Sequence, residues 1–294
     1  MDEPWSRVTE PGTLEDLVSD ALDAGYEIKE RTVHDWVARG LLDSPKRHGK
    51  GRGSRPGVYA IEQRKLFLLL LSKREEMPRL PALALVPLGI WLGWGEEYVP
   101  VRQIRRAMRT WLGDGRRRLE VCQEAGKGVL GQLDHPMASD TARNRVVRLF
   151  AEVSYSGRMT PLQRVELEEA AQAVFEPKTV FGASGLIRAE GPAQAPFTVE
   201  MFMARMTGLS AAMEAVRQDK VTEDMLRRAR RVYRESKEHY FAIRPALEAQ
   251  TTGRMAQMFA ETSAETEIND CGKDLLGAIG LLLTAPASAP VHRM

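Results

Sequence analysis

The chain has 294 residues, with 42 Lys and Arg against 40 Asp and Glu, a formal net charge of +2, 43% hydrophobic and 28% charged residues. Those proportions exclude a wholly disordered chain and a disulfide scaffold, and the length exceeds what one small core organises, so two or three domains are expected. Cys122 and Cys271 are the only cysteines and show no CxxC spacing, which disfavours a structural zinc site.

The N-terminus, MDEPWSRVTE, carries neither a basic nor an apolar leader region. No secretory signal is expected, and a cytoplasmic protein is the simplest reading. The near-neutral total is an average over unequal parts. Residues 1–30 hold nine acids and two bases, residues 31–80 hold twelve bases and five acids, and residues 101–120 hold seven arginines and two acids. A localised basic stretch is the footprint of a polyanion-binding surface.

In chain order, an acidic segment at 1–12 precedes a first helix. Thr13 suits an N-cap, Glu15 and Asp16 complement the helix dipole, Leu14, Leu17, Val18, Ala21 and Leu22 form one stripe, and Gly25 is a stop. A short connection, 26–29, leads to a second helix from about residue 30 to 39. Val33, Trp36 and Val37 form its buried face, and Gly40 ends it. Two tightly joined short helices predict a helix-turn-helix.

Residues 43–60 are rich in Gly, Pro and bases and read as a loop or hairpin, with Val58 and Tyr59 as a returning strand. A helix follows, from Glu62 to before Met77-Pro78. The apolar run at 80–94 is too short to span a bilayer and contains Pro81 and Pro87. Further helices are expected at 101–112, 119–133, 141–155, 161–175, 198–218 and 222–243. The pattern breaks at 176–197, a loop or linker, and at 284–294, a disordered tail. The fold class is therefore mainly α. The expected domains are 13–76, a helical middle region at 77–175, and a helical dimerisation or effector region at 198–283.

The order of Thr32-Val33-His34-Asp35-Trp36, Arg39-Gly40-Leu41-Leu42, a basic loop, and Arg55-Pro56-Gly57-Val58-Tyr59 opening into a helix resembles the winged helix-turn-helix of the MerR family. The resemblance covers residues 13–76, about a quarter of the chain. It implies a DNA-binding domain, a following dimerisation helix and a symmetric dimer on a palindromic site. His34 stands where that family usually has arginine and Asp35 where an aromatic is common. The basic loop is longer than the usual wing, and the family's metal-binding cysteines have no counterpart.

Groove physics gives a compatible assignment without the family. With Val33, Trp36 and Val37 anchored, the second helix leaves Arg31, Thr32, His34, Asp35 and Arg39 on or near its exposed side. Arg31 suits guanine edges or a phosphate, Thr32 a phosphate at the helix N-terminus, and His34 a base or backbone acceptor. Asp35 reads more naturally as an intrahelical partner of Arg31 or Arg39. Lys46, Arg47, Lys50, Arg52 and Arg55 supply cations for phosphates or a minor groove. Tyr59 either donates its hydroxyl to a phosphate or packs.

The arginines of the helix after Pro100 either touch flanking DNA or pair with the acidic N-terminal segment. Residues 49–53 (GKGRG) lack the G-K-[ST] ending of a phosphate loop. On the helix at 222–243, Met225, Ala229, Val232, Ser236 and Tyr240, flanked by Leu226, Tyr233 and Phe241, form a stripe wide enough to pack against a partner helix. Met201, Phe202, Met203, Met206 and Met213 are either helical core or the lining of an effector pocket, core being the more frequent outcome.

His34, His48, His135, His239 and His292 are scattered, and neither HExxH nor GxSxG occurs, so no enzymatic chemistry and no cofactor is expected. The expectation is a dimeric, sequence-specific regulator binding double-stranded DNA, with room for a small-molecule or protein effector and no membrane association. Two rivals stay open: an excisionase-like or architectural DNA protein of a mobile element, and a protein-interaction module for an acidic partner.

Overall fold

The computed structural model describes residues 4–46, 56–113, 119–133, 138–175, 198–250, 259 and 263–285. Among them the chain is mainly helical, and backbone pairing outside helices is confined to the isolated bridges Gly12–Tyr59 and Lys46–Val58. The expected linker at 176–197 and residues 286–294 of the expected tail lie outside the described residues, whereas Thr284, the expected start of that tail, still belongs to the last helix.

The chain divides into two compact units. Unit 1 contains residues 1–114, 219–228 and 263–274, and unit 2 contains 115–218, 229–262 and 275–294. This grouping departs from the divisions expected from the sequence. The helices between residues 80 and 112 join the N-terminal unit instead of the helices at 119–175, and two later segments return to complete it.

Unit 1 opens with a 3-10 turn, Pro4–Arg7, and then α1, Leu14–Asp23. Thr13 and Asp16 form a reciprocal capping box: the Asp16 carboxylate accepts the Thr13 N–H at 2.6 Å, and the Asp16 N–H donates to Thr13 Oγ1. Backbone and side-chain bonds from Thr13 hold the Asp16 carboxyl below its ordinary value against a smaller opposing effect of burial, with help from the Arg64 charge. α2 spans Glu30–Ala38, and Gly40, at φ +76°, takes the left-handed conformation that ends it. The Leu41 N–H then donates back to the Trp36 carbonyl at 2.9 Å.

α3, Ile61–Glu76, lies behind this pair and buries Leu66, Phe67, Leu70 and Leu71. Trp36 meets Phe67 edge-on, with centroids 5.6 Å apart. Arg64 of α3 ties α1 and the N-terminal segment together. Its guanidinium donates to both Asp20 carboxylate oxygens, at 2.8 and 2.9 Å, and to the Glu10 carbonyl at 2.7 Å.

The apolar run at 80–94 folds into α4, Leu80–Leu83, and α5, Leu85–Trp94. Both prolines fall in first turns, where their missing N–H groups have no intrahelical acceptor to lose. Leu85, Val86, Leu88, Trp91 and Leu92 are all buried, as expected of a helix apolar on every side. α6, Val101–Leu112, buries Val101, Ile104, Ala107, Met108, Trp111 and Leu112, together with Gln103. From the 263–274 segment, Gly272 is applied closely to Leu85 and Trp111. A Cβ at Gly272 would lie 2.7 Å from a Leu85 methyl and 2.9 Å from the Trp111 ring.

Unit 2 contains α7, Leu119–Leu133; α8, Asp140–Ser156; α9, Pro161–Phe175; and α10, Val199–Arg217. Their shared core includes Leu130, Val146, Leu149, Val153, Leu167, Val174, Phe175, Phe202, Met203 and Met206. Of the methionine-rich stretch, Phe202, Met203, Met206 and Met213 are buried and Met201 is exposed, so this stretch is core.

α11, Glu223–Gln250, contributes its first residues to unit 1 and the remainder to unit 2. It continues through Pro245, beyond the expected end near residue 243. Proline removes one backbone donor, and the helix tolerates that interruption here. α12, Ala264–Thr284, ends the described chain. In unit 2 its Gly280 packs on Gly208 of α10, backbone against backbone: a Cβ at Gly280 would lie 2.7 Å from the Gly208 Cα.

Candidate nucleic-acid interface

α2 is amphipathic in three dimensions. Val33 and Trp36 are buried, Trp36 against Phe67 of α3, whereas Glu30, Arg31, His34, Ala38 and Arg39 are exposed. Val37, expected in the buried face, is only half-buried. Thr32 is also half-buried, and its backbone N–H donates to the Lys29 carbonyl at 2.8 Å within the first turn. Asp35 accepts the Arg39 Nε–H with both oxygens, at 2.9 and 3.0 Å. The pair is thus engaged along the helix, so the ionic character of the outer face comes from two acids, Glu30 and Asp35, and two bases, Arg31 and Arg39.

Lys46 is exposed, and its backbone pairs with Val58 through two hydrogen bonds of 2.8 and 2.9 Å. That pairing closes the base of the connecting segment. Arg47, Lys50, Arg52 and Arg55, the expected phosphate contacts, lie outside the described residues. Tyr59 is 2% exposed, and burial pushes its phenol above its ordinary pKa. Of its two expected roles, this burial fits packing and leaves the hydroxyl too enclosed for a direct phosphate contact. Its backbone also pairs with Gly12, anchoring the chain ahead of α1 to the chain ahead of α3.

The arginines of α6 pair with acids that lie outside the N-terminal segment. Arg102 donates to the two Asp43 oxygens at 3.0 and 2.6 Å, and Arg106 donates to Asp43 Oδ1 at 3.1 Å. The Asp43 side chain is 6% exposed, so this carboxylate is nearly enclosed by its two cations. Arg105 and Arg109 pair with Asp219, which stands at φ +56° ahead of α11. Arg227, in the first turns of α11, donates to both oxygens of Glu96 at 2.7 and 3.2 Å.

A buried polar chain runs beneath the end of α2. Gln63 Oε1 accepts the Asp43 N–H at 2.7 Å, while its amide donates to Gln103 Oε1 at 3.0 Å and to the Tyr98 carbonyl at 3.2 Å. Gln103 in turn donates to the Leu41 carbonyl at 2.8 Å, and Thr110 Oγ1 donates to the Arg39 carbonyl at 2.7 Å. Sequence reasoning missed Asp43, Gln63, Gln103 and Thr110. A signal existed for the two glutamines: Gln63 shares a helical stripe with Leu66, Phe67 and Leu70, and Gln103 shares one with Ala107. An amide at a core position needs a buried partner.

On the predicted partner helix, α11, Leu226 and Ala229 are buried within the chain. Val232, Tyr233 and Tyr240 are half-buried, and Ser236 is exposed. Phe241 is 60% exposed, so the stripe loses cover toward its C-terminal half. Among the described residues no group of three or more metal-ligating side chains assembles, and no helix is long and apolar enough to cross a membrane. No family model matches the chain, and neither a curated protein nor a solved structure does so.

Proposed function

We propose that the chain is a sequence-specific regulator of transcription that binds double-stranded DNA through α2 and the basic segment beginning at Lys46. The observation carrying this reading is the seating of α2. The short helix follows α1 closely and is anchored through Val33 and Trp36, with Arg31, His34, Asp35 and Arg39 on or near its solvent side. A helix offered to a major groove needs that combination of a fixed inner face and a polar outer one. Because the charges on the outer face of α2 offset one another, phosphate affinity rests mainly on Lys46, Arg47, Lys50, Arg52 and Arg55. Arg31 and His34 are then the base-reading side chains, with Thr32 at the first turn. We further propose a homodimer formed through the C-terminal helices, where the α11 stripe carries the exposed Phe241.

Selection of bound genomic fragments followed by sequencing tests the reading, because it returns site, symmetry and spacing together. A recovered palindrome, and lower affinity with a shallower salt dependence in an Arg31→Ala, Lys50→Ala double variant, are the expected results. Binding unchanged in that variant refutes the assigned surface. One observation favours a second reading: the charge-balanced outer face of α2 suits a protein partner as well as a groove. In that case the chain shows no salt-dependent affinity for any DNA.

A further inference from the structure

The C-terminal end of α2 is held from below by two helices. From α6, Thr110 bonds the Arg39 carbonyl, Gln103 bonds the Leu41 carbonyl, and Arg102 and Arg106 grip Asp43. Gly40 lies directly against α6, where a Cβ would come within 2.6 Å of the Arg106 Cβ. From α3, Gln63 accepts the Asp43 N–H and ties it to Gln103. At the opposite end of α2, Lys29 at the N-cap makes no side-chain capping bond. Residues 39–43 are thus the segment at which α3 and α6 grip the chain leaving α2.

We infer that Asp43 is the joint that sets the presentation of α2 to DNA, and that Arg102, Arg106 and Thr110 are positioning residues instead of phosphate contacts. The inference rests on the DNA-binding reading for its consequence and on unit 1 alone for its geometry. Two guanidiniums converging on one nearly enclosed carboxylate fix both position and direction, because each N–H must point at a particular oxygen. A base-reading side chain displaced by the tilt of its helix loses its hydrogen-bond geometry, whereas phosphate contacts from a separate loop persist.

The two roles for these arginines predict opposite signs for Asp43→Asn. If Arg102 and Arg106 only position α2, removing the charge on Asp43 loosens the seat. Affinity for the selected fragment then falls about tenfold, comparable to losing one well-formed base contact. The slope of log affinity against log salt stays unchanged, because no phosphate contact is lost. Asp43→Glu restores part of the affinity. If the arginines instead touch phosphates when free, Asp43→Asn raises affinity and steepens the salt slope, which overturns the inference.

Fluorescence anisotropy on the full-length chain at several salt concentrations reads both quantities. Amide hydrogen exchange in the absence of DNA supplies the second arm. Exchange at residues 36–43 is expected to accelerate in Asp43→Asn, and unchanged exchange there also overturns the inference. Should Asp43→Asn not fold, Thr110→Val carries the same pair of measurements, since it removes one hydroxyl bond to the Arg39 carbonyl without altering side-chain shape. A wild-type chain without DNA affinity refutes the DNA-binding reading, while the exchange arm still decides whether Asp43 fixes α2.

Discussion

Gly40 and Gly25 form a matched pair for measuring how firmly α2 is seated on α6. Both take positive φ, +76° and +87°, so alanine at either position incurs the left-handed backbone penalty of about 1–2 kcal/mol. Their surroundings differ. A Cβ at Gly25 meets nothing within 4 Å, whereas one at Gly40 runs into the backbone and side chain of α6, with the Arg106 Cβ at 2.6 Å. Overpacking of that kind adds about 1–3 kcal/mol, so Gly40→Ala is expected to cost about 2–5 kcal/mol and Gly25→Ala about 1–2 kcal/mol. Urea unfolding followed by tryptophan fluorescence isolates the relevant unit, because Trp5, Trp36, Trp91, Trp94 and Trp111 all lie in unit 1. With a urea slope of about 1–3 kcal/mol per molar, the two midpoints should separate by several tenths of a molar to more than 1 M. Equal midpoints would refute the close approach of α2 to α6.

A second pair of glycines tests the α10–α12 crossing: Gly280→Ala forces a Cβ into the Gly208 backbone and should cost about 1–3 kcal/mol. Gly208→Ala meets its nearest atom at 3.4 Å and should be neutral, or stabilising by up to about 1 kcal/mol through helix propensity; circular dichroism during thermal unfolding distinguishes them. The lowered Asp16 pKa means that its capping contribution is complete above the ordinary value of 3.8 and disappears as the pH falls through the folded value. Wild type and Asp16→Asn should therefore differ in stability near pH 7 and converge in acid; a constant difference would exclude the ionised cap. Tyr59 has the opposite sign, its raised pKa making the neutral phenol stabilising below 10.0 and a liability as the pH rises through the folded value. Tyr59→Phe should lose less stability than wild type above pH 10, by urea titration at each pH, and parallel losses would count against burial of the hydroxyl.

The parts legible in the sequence were those fixed by local chemistry. Thr13 with Asp16 three residues later declared the start of α1, and Gly25 and Gly40 declared the ends of α1 and α2. Trp36, three residues after Val33, declared the inner face of α2. The run at 80–94 hid two helices because a segment apolar on every side has no periodicity to read, and its prolines resembled breakers until their first-turn positions were known. The α6 arginines were conspicuous, but their partners Asp43 and Asp219 lie far away in sequence, and only tertiary packing identifies them. Tyr59 kept two open roles until burial selected one. The loop cations expected to meet phosphate lie outside the described residues, so that part of the interface rests on composition.

The return of residues 219–228 and 263–274 to unit 1 has a consequence for biosynthesis. On the ribosome the first 114 residues emerge long before the segment containing Gly272, which lies against Leu85 and Trp111 in the finished protein. The nascent N-terminal unit therefore waits with part of its apolar surface uncovered while well over a hundred further residues are translated. Helices α1 to α6 can assemble early, but closure of that unit waits for residues 263–274. A fragment ending near residue 114 would keep the nascent chain's open face, which makes it prone to aggregate.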